Sequence, residues 1–291
     1  MESLAVHLCG THVADITRGR APNRLHWSWT PLAADRWGLG ARVVSHGFAI
    51  GQPVHDLLVG AFVEGLLPEG AARIHYAVNA GIEPGDLFAL LDRYGWDTPG
   101  ALVIGPDPAG LASSAGYVSI RLNDSDVRSL LDKADSSNAG GTTSPILPGF
   151  VPKIALSRAD DGTWLLPPAG VPSTWILKVA HPADSVAADV VDTEALCLDL
   201  GRRIGVTTVQ ASVLDFDGRR AIAVSRYDRV LVDGRVQRIH EEDLAQVFGL
   251  NTADPARKFQ RGRTLPSWRE GARALGQDGG RIGPMARLVT F

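Results

Sequence analysis

Lys178 lies in the run Ser173-Thr174-Trp175-Ile176-Leu177-Lys178-Val179, whose β-branched and aromatic residues favour a strand and whose alternation puts Ile176, Lys178 and Ala180 on one face. Glu194 follows on a predicted amphipathic helix from about Ser185 to Arg203. Val190, Val191, Cys197 and Leu198 sit three or four residues from it, so its carboxylate is expected to project from a largely apolar stripe. A carboxylate so placed needs a cation: left unpaired it would cost roughly 3–5 kcal/mol, and the nearest cation in the preceding strand is Lys178. A lysine held in this way can present its charge to nucleotide phosphates during phosphoryl transfer. The same two residues also suit a plain structural ion pair between a strand and a helix.

Other stretches could serve the same chemistry. Pro148-Gly149-Phe150-Val151-Pro152-Lys153-Ile154-Ala155-Leu156 sets a glycine turn before a β-rich run, with Trp164-Leu165-Leu166-Pro167 as a partner strand. A glycine-centred loop lets backbone N–H groups approach phosphate, and Lys153 adds charge. The loop has neither P-loop nor G-x-G-x-x-G spacing, so a simple hairpin turn is equally consistent with it. Asp217-Gly218 and Asp233-Gly234 are strong hairpin signals, flanked by strands at Ala211 to Phe216, Arg219 to Arg226 and Arg235 to His240. The order is therefore lysine strand, glutamate helix and three-strand meander. The strand ending in Ser225-Arg226-Tyr227-Asp228-Arg229 could offer its backbone to an adenine edge, or could be a surface strand end with solvated arginines. His240-Glu241-Glu242-Asp243 reads as helix capping rather than a metal site, because its spacing does not put two ligands on one face.

The elements that must hold these residues come from a chain of 291 residues, 45% hydrophobic, enough for two domains or one large one. A net charge of −3 excludes the overall basic footprint of a nucleic-acid binder. Cys9 and Cys197 are too few for a disulfide framework or a zinc site, which fits a reducing cytoplasm. No signal peptide or membrane span is predicted. The chain breaks at Asp135 to Pro145, small and polar with two adjacent glycines, which predicts a linker. Upstream of it, strands at Leu4 to Leu8 and Arg24 to Trp29 precede a helix over Asp56 to Leu67, its apolar face formed by Leu57, Leu58, Ala61, Phe62 and Leu66 and its end set by Pro68. A second helix runs from Asp86 to Tyr94 and stops at Gly95. This α+β module carries no evident chemistry, since His26, His46, His55 and His75 are scattered singly. Past Arg261, the arginines 261, 263, 269, 273, 281 and 287 are spread as on a solvated helix face rather than clustered as a phosphate patch.

Six ordered blocks resemble the HipA family, the serine/threonine kinase toxins of bacterial toxin–antitoxin systems. They are Leu147-Pro148-Gly149-Phe150-Val151-Pro152-Lys153, Pro172 to Lys178, Asp192-Thr193-Glu194, Val224 to Arg229, Arg238 to Asp243, and Lys258-Phe259. Leu66-Leu67-Pro68-Glu69-Gly70 and Gly95 to Leu102 are similar to the family's N-terminal subdomain. The resemblance implies an α+β fold with a HipA-like N-terminal subdomain (residues 1–110), a connecting helix and flexible linker (111–145), and a kinase N-lobe of antiparallel sheet and helix with the start of a C-lobe (146–291). It further implies a nucleotide-binding loop of Gly149, Phe150, Val151, Pro152 and Lys153, with Lys178 on the phosphates, Glu194 steadying it, and Ser225, Arg226 and Tyr227 as the adenine-contacting hinge. ATP and Mg2+ are the implied cofactors. The implied substrate is a protein serine or threonine, with glutamyl-tRNA synthetase as the type of target. The implied partner is a HipB-like antitoxin, which makes any DNA contact indirect.

Two departures modify these expectations. Where family members carry an autophosphorylated serine this chain has Ile146, with Ser144 the nearest hydroxyl, so self-inactivation by that route is not expected. The family's catalytic loop, with its general-base and metal-binding aspartates, would follow Phe291, so no catalytic residue and no metal ligand is assigned within the chain and the C-lobe is expected to be largely missing. The sequence therefore predicts a catalytically impaired kinase or, alternatively, a non-catalytic module or remnant that engages a HipB-like antitoxin.

Overall fold

The computed structural model describes residues 2–21, 24–106, 118–135, 147–148, 151–168, 170–181, 185, 188–253 and 267–277. Its first layer is a four-stranded antiparallel sheet of β1 (Ser3–Leu8), β2 (Thr11–Arg18), β3 (Leu25–Trp29) and β4 (Leu102–Gly105), in the order β3-β2-β1-β4. Two of these strands, β2 and β4, were not predicted. The β1–β2 turn is Cys9-Gly10, both at positive φ (49° and 77°), so the glycine supplies the hairpin twist without the usual Asn-Gly or Asp-Gly signature.

Helices α1 (Pro31–Trp37), α2 (Asp56–Glu64), α3 (Gly70–Ala80) and α4 (Leu87–Tyr94) accompany this sheet. The core gathers Leu4, Val6, Ile16, Phe48, Phe62, Leu90 and Leu91. α2 stops at Glu64, three residues short of the predicted end. Leu66 and Leu67 are instead buried in the following turn, and Leu57 is exposed. α4 forms as expected, with the Asp86 carboxylate accepting the Ala89 N–H at 3.0 Å as its N-cap.

The second layer is a six-stranded sheet of β5 (Ile120–Leu122), β6 (Lys153–Arg158), β7 (Trp164–Leu166), β8 (Trp175–Val179), β9 (Ala211–Phe216) and β10 (Arg219–Ser225), in the order β5-β7-β6-β8-β10-β9. β9 and β10 pair as the predicted meander requires, but its third strand does not join this sheet. β10 pairs with both β8 and β9, so β8 and β9 run parallel with one strand between them. The physical reason is the crossover: helix α6 (Val190–Arg203) carries the chain past one strand position, and the Asp217-Gly218 turn then folds β10 back into the gap. Residues 120–135 belong to this layer. β5 extends the sheet, and α5 (Asp124–Asp135) places Val127 and Leu131 in a core with Leu177, Val179, Phe216 and Ala223. The predicted linker beyond Asp135 lies outside the described residues.

β11 (Arg229–Val232) and β12 (Arg235–Arg238) leave the sheet as a separate ribbon around Asp233-Gly234, also at positive φ. α7 (Leu244–Val247) follows, with Asp243 and Gln246 forming a capping box, and α8 (Trp268–Gln277) carries Arg269 and Arg273. Arg261, Arg263, Arg281 and Arg287, together with the Lys258-Phe259 block, lie outside the described residues. No described helix is long and apolar enough to cross a membrane.

Candidate functional site

Strand alternation aims Leu177 and Val179 into the second core and Lys178 to the opposite face, where its ammonium donates to Glu194 of α6. The expected pair therefore forms, though not in the expected surroundings. Glu194 is 29% exposed and Lys178 25%, and Val190 and Cys197, two members of the supposed apolar stripe, face solvent. Only Val191 and Gly201 of α6 are buried, so the helix rests on the sheet along a narrow line. The cost of a broken buried pair thus does not apply to this one.

Lys153 on β6 is the direct cross-strand neighbour of Lys178, with Ile222 opposite on β10. Directly paired residues share a face of the sheet, so both lysines rise from the same face. Lys153 also donates to the Pro148 carbonyl at 2.6 Å, and Val179 N–H donates to the Pro152 carbonyl at 3.1 Å. Gly149 and Phe150 lie outside the described residues. Val151, Pro152 and Lys153 line a crevice with Leu147, Ala134 and the α3 residues Ala72, His75 and Tyr76. At about 20 Å³ it has room for a single water, far below the several hundred Å³ of a nucleotide pocket.

The other end of β8 meets the first layer. Ser225 N–H donates to the Gln210 carbonyl and Arg226 N–H to the Thr174 carbonyl, so the backbone donors of two predicted hinge residues are already engaged. The Arg226 side chain is turned inward. It grips Asp228 with two hydrogen bonds (2.9 and 2.7 Å), reaches Ser173 Oγ at 3.0 Å and donates to the Thr98 carbonyl at 3.2 Å. Tyr227 projects outward, 64% exposed, with its hydroxyl on Glu241.

Beside Arg226 stands Asp97, wholly buried, which the sequence reading did not single out. One of its oxygens accepts from Arg229 at 2.8 Å and from Arg238 at 2.7 Å, and the other from Ser173 Oγ at 2.8 Å and Ser173 N–H at 3.2 Å. Arg229 also bonds Asp228 and the Gly100 carbonyl, and Gly100 N–H donates to Asp228 at 2.9 Å. Three guanidinium groups thus meet two carboxylates across the boundary between the layers. The available signal was four charged or polar residues closing an otherwise apolar strand, but nothing local names Asp97 as their partner.

Burial pushes the Asp97 carboxyl up, yet Arg226, Arg238 and Arg229 with the Ser173 hydroxyl more than offset it and hold it below its ordinary value. Asp228 is lowered in the same way, against burial, by Arg226, Arg229 and the Gly100 N–H. Arg229 bears the residual strain of like charges: burial and its arginine neighbours bring it down to about 10, still protonated at neutral pH.

The predicted capping segment extends this seam. Asp243 caps α7 as expected, while His240 Nε2 meets the Val44 carbonyl at 2.8 Å. Glu242 takes Ser45 Oγ and the His46 N–H, the latter at 2.9 Å. Gln246 donates to the Phe62 carbonyl at 2.8 Å. No group of three metal-ligating side chains occurs among the described residues.

Two family models match the chain, the HipA N-terminal domain over residues 4–105 and the HipA-like C-terminal domain over residues 146–288. A Sinorhizobium fredii protein named as a candidate kinase, Y4mE, is 32% identical over 65% of this chain and 46% of its own length. The serine/threonine-protein kinase toxin HipA of Shewanella oneidensis is 24% identical over 73% of this chain and 48% of its own. The chain therefore spans about half the length of the curated relatives it matches. The fold is shared with the toxin in a solved Shewanella oneidensis complex of HipA, HipB and operator DNA, at a TM-score of 0.73 and 20% identity, over 97% of this chain and 66% of that one.

Proposed function

Because the chain belongs to the HipA family, matching its N-terminal and C-terminal domains in turn, we propose that it supplies the nucleotide-binding lobe of a serine/threonine protein kinase toxin. The observation that carries this reading is the Lys178–Glu194 pair, with Lys153 beside it on the same face of the sheet. Glu194 holds the Lys178 ammonium on the face of β8 opposite the second core, where it neutralises nucleotide phosphates, and Gly149 to Lys153 supply the nucleotide-binding loop. The donors fit ATP: two lysines suit a triphosphate, and Tyr227 offers an exposed ring beside the strand end assigned to adenine. ATP supplies the phosphoryl group. Among the described residues no group of three metal-ligating side chains is present, and none of them is assigned to Mg2+.

The acceptor in this reading is a serine or threonine of a protein, with a glutamyl-tRNA synthetase as the type of target. A HipB-like antitoxin binds the module formed by residues 1–110, and operator DNA is reached only through it. Support for that partner is the likeness to a toxin solved together with HipB and DNA. Calorimetric titration with Mg-ATP tests the central statement: saturable binding that Lys178→Ala abolishes supports it, and no heat at millimolar nucleotide refutes it. Loss of co-purification with a HipB-like protein on deleting residues 1–110 tests the partner.

A further inference from the structure

We infer that Asp97, a residue of the first layer, is a positioning residue for the adenine end of the nucleotide site; this rests on the nucleotide reading above. β8 and β10 are paired from Val179–Ala221 to Trp175–Ser225, and Arg226 N–H to Thr174 O adds one further rung. Past that rung Tyr227 would stand opposite Ser173, but Ser173 gives its N–H to Asp97 rather than to that strand. Asp97 accepts both the N–H and the hydroxyl of Ser173, and that hydroxyl in turn accepts from Arg226. Arg226 is then locked by Asp228, and Arg229 and Arg238, the paired end residues of the β11–β12 ribbon, are drawn to the other Asp97 oxygen.

The consequence is directional. Lys178 stands five strand positions from Ser173, roughly 16 Å away at the strand rise. Lys178 is fixed by its own ladder with β6 and β10 and by Glu194, none of which touches Asp97. Asp97 therefore sets where the Arg226 side chain and the chain beyond it at Tyr227 lie relative to the phosphate-holding lysine, without acting on that lysine. A kinase lobe so built has its base-recognition edge positioned by a different domain, through a side chain that never meets the ligand.

The test compares ATP with inorganic tripolyphosphate, which uses the phosphate end alone. Ser173→Ala removes the hydroxyl that joins Asp97 to Arg226 while leaving every charge paired, and Asp97→Asn removes the charge at constant shape. Both are expected to weaken ATP binding by about tenfold, the equivalent of one well-placed hydrogen bond, with tripolyphosphate affinity unchanged. Lys178→Ala is expected to weaken both ligands. Parallel loss of ATP and tripolyphosphate in Ser173→Ala, or no change in either, overturns the positioning role while leaving the nucleotide reading intact. A wild-type protein that binds neither ligand overturns both. Should Asp97→Asn fail to fold, Ser173→Ala decides alone.

Discussion

Replacing Lys178 with alanine should separate ligand binding from stability, and the separation follows from the pair's exposure. With 25% and 29% of the two side chains open to solvent, the Lys178–Glu194 bridge is partly screened and contributes within about 1 kcal/mol. In a chain of this size 1 kcal/mol corresponds to roughly 2–4 °C of midpoint. Lys178→Ala alone should therefore lower the thermal midpoint by no more than about 4 °C. Nucleotide acts on a different scale: a ligand at one hundred times its dissociation constant stabilises the native state by about 2.7 kcal/mol, roughly 5–10 °C on the same conversion. Thermal denaturation followed by fluorescence, with and without millimolar Mg-ATP, is the assay. The wild type should rise by several degrees and Lys178→Ala not at all, while Glu194→Gln, which keeps the ammonium but frees it, should give an intermediate rise. An undiminished ATP response in Lys178→Ala would refute the assignment of this lysine to phosphate. A collapse of ten degrees or more without ligand would refute the screened-pair estimate and restore the buried-pair one.

Asp97→Ala should cost about 3–5 kcal/mol in urea denaturation, because it strands buried guanidinium groups; Asp192→Ala, which breaks a half-exposed bridge to Arg220, should cost less than about 1, and similar losses would refute the ranking. Burial holds His240 below its ordinary 6.5, with the Val44 carbonyl opposing, so the unfolded chain binds more protons between the folded value and 6.5. The His240 contribution is thus present above pH 6.5 and is lost as pH falls toward the folded value. Glu241 and Glu242, raised chiefly by burial, act with the opposite sign above 4.5, and the difference between wild type and His240→Gln from pH 7.5 to 5.5 isolates the histidine. A slope unchanged by the substitution would sink this prediction. Gly100→Ala should destabilise more than Gly10→Ala. Both positions have φ near +75°, but only at Gly100 would a Cβ meet backbone, 2.9 Å from Glu241 N, so about 1–3 kcal/mol of backbone strain is joined by a clash in the seam. Equal losses in denaturation would show that the seam gives way there.

Local signals carried a definite part of this molecule. The two Asp-Gly turns, the strand at residue 178, the helix bearing Glu194 and the capping role of Asp243 each depend on backbone preferences within a few residues, and each was legible as such. So was the pairing of Lys178 with Glu194, since one crossover connects their elements. What the sequence could not decide was who stands beside whom across long separations. β2 and β4 were missed because the first has an unusual turn and the second is a four-residue strand whose partner lies near the N-terminus. The apolar stripe around Glu194 was misjudged because helical spacing shows which residues share a face, not whether anything covers it.

Arg226 makes the division clearest. Its sequence context left an adenine-facing strand end and a solvated surface arginine both open, and the fold excludes the second by burying its side chain against an aspartate well over a hundred positions earlier. A charge's environment is set by every element that packs around it, and only the docking of the two layers brings Asp97, Ser173 and Asp228 within reach of that guanidinium.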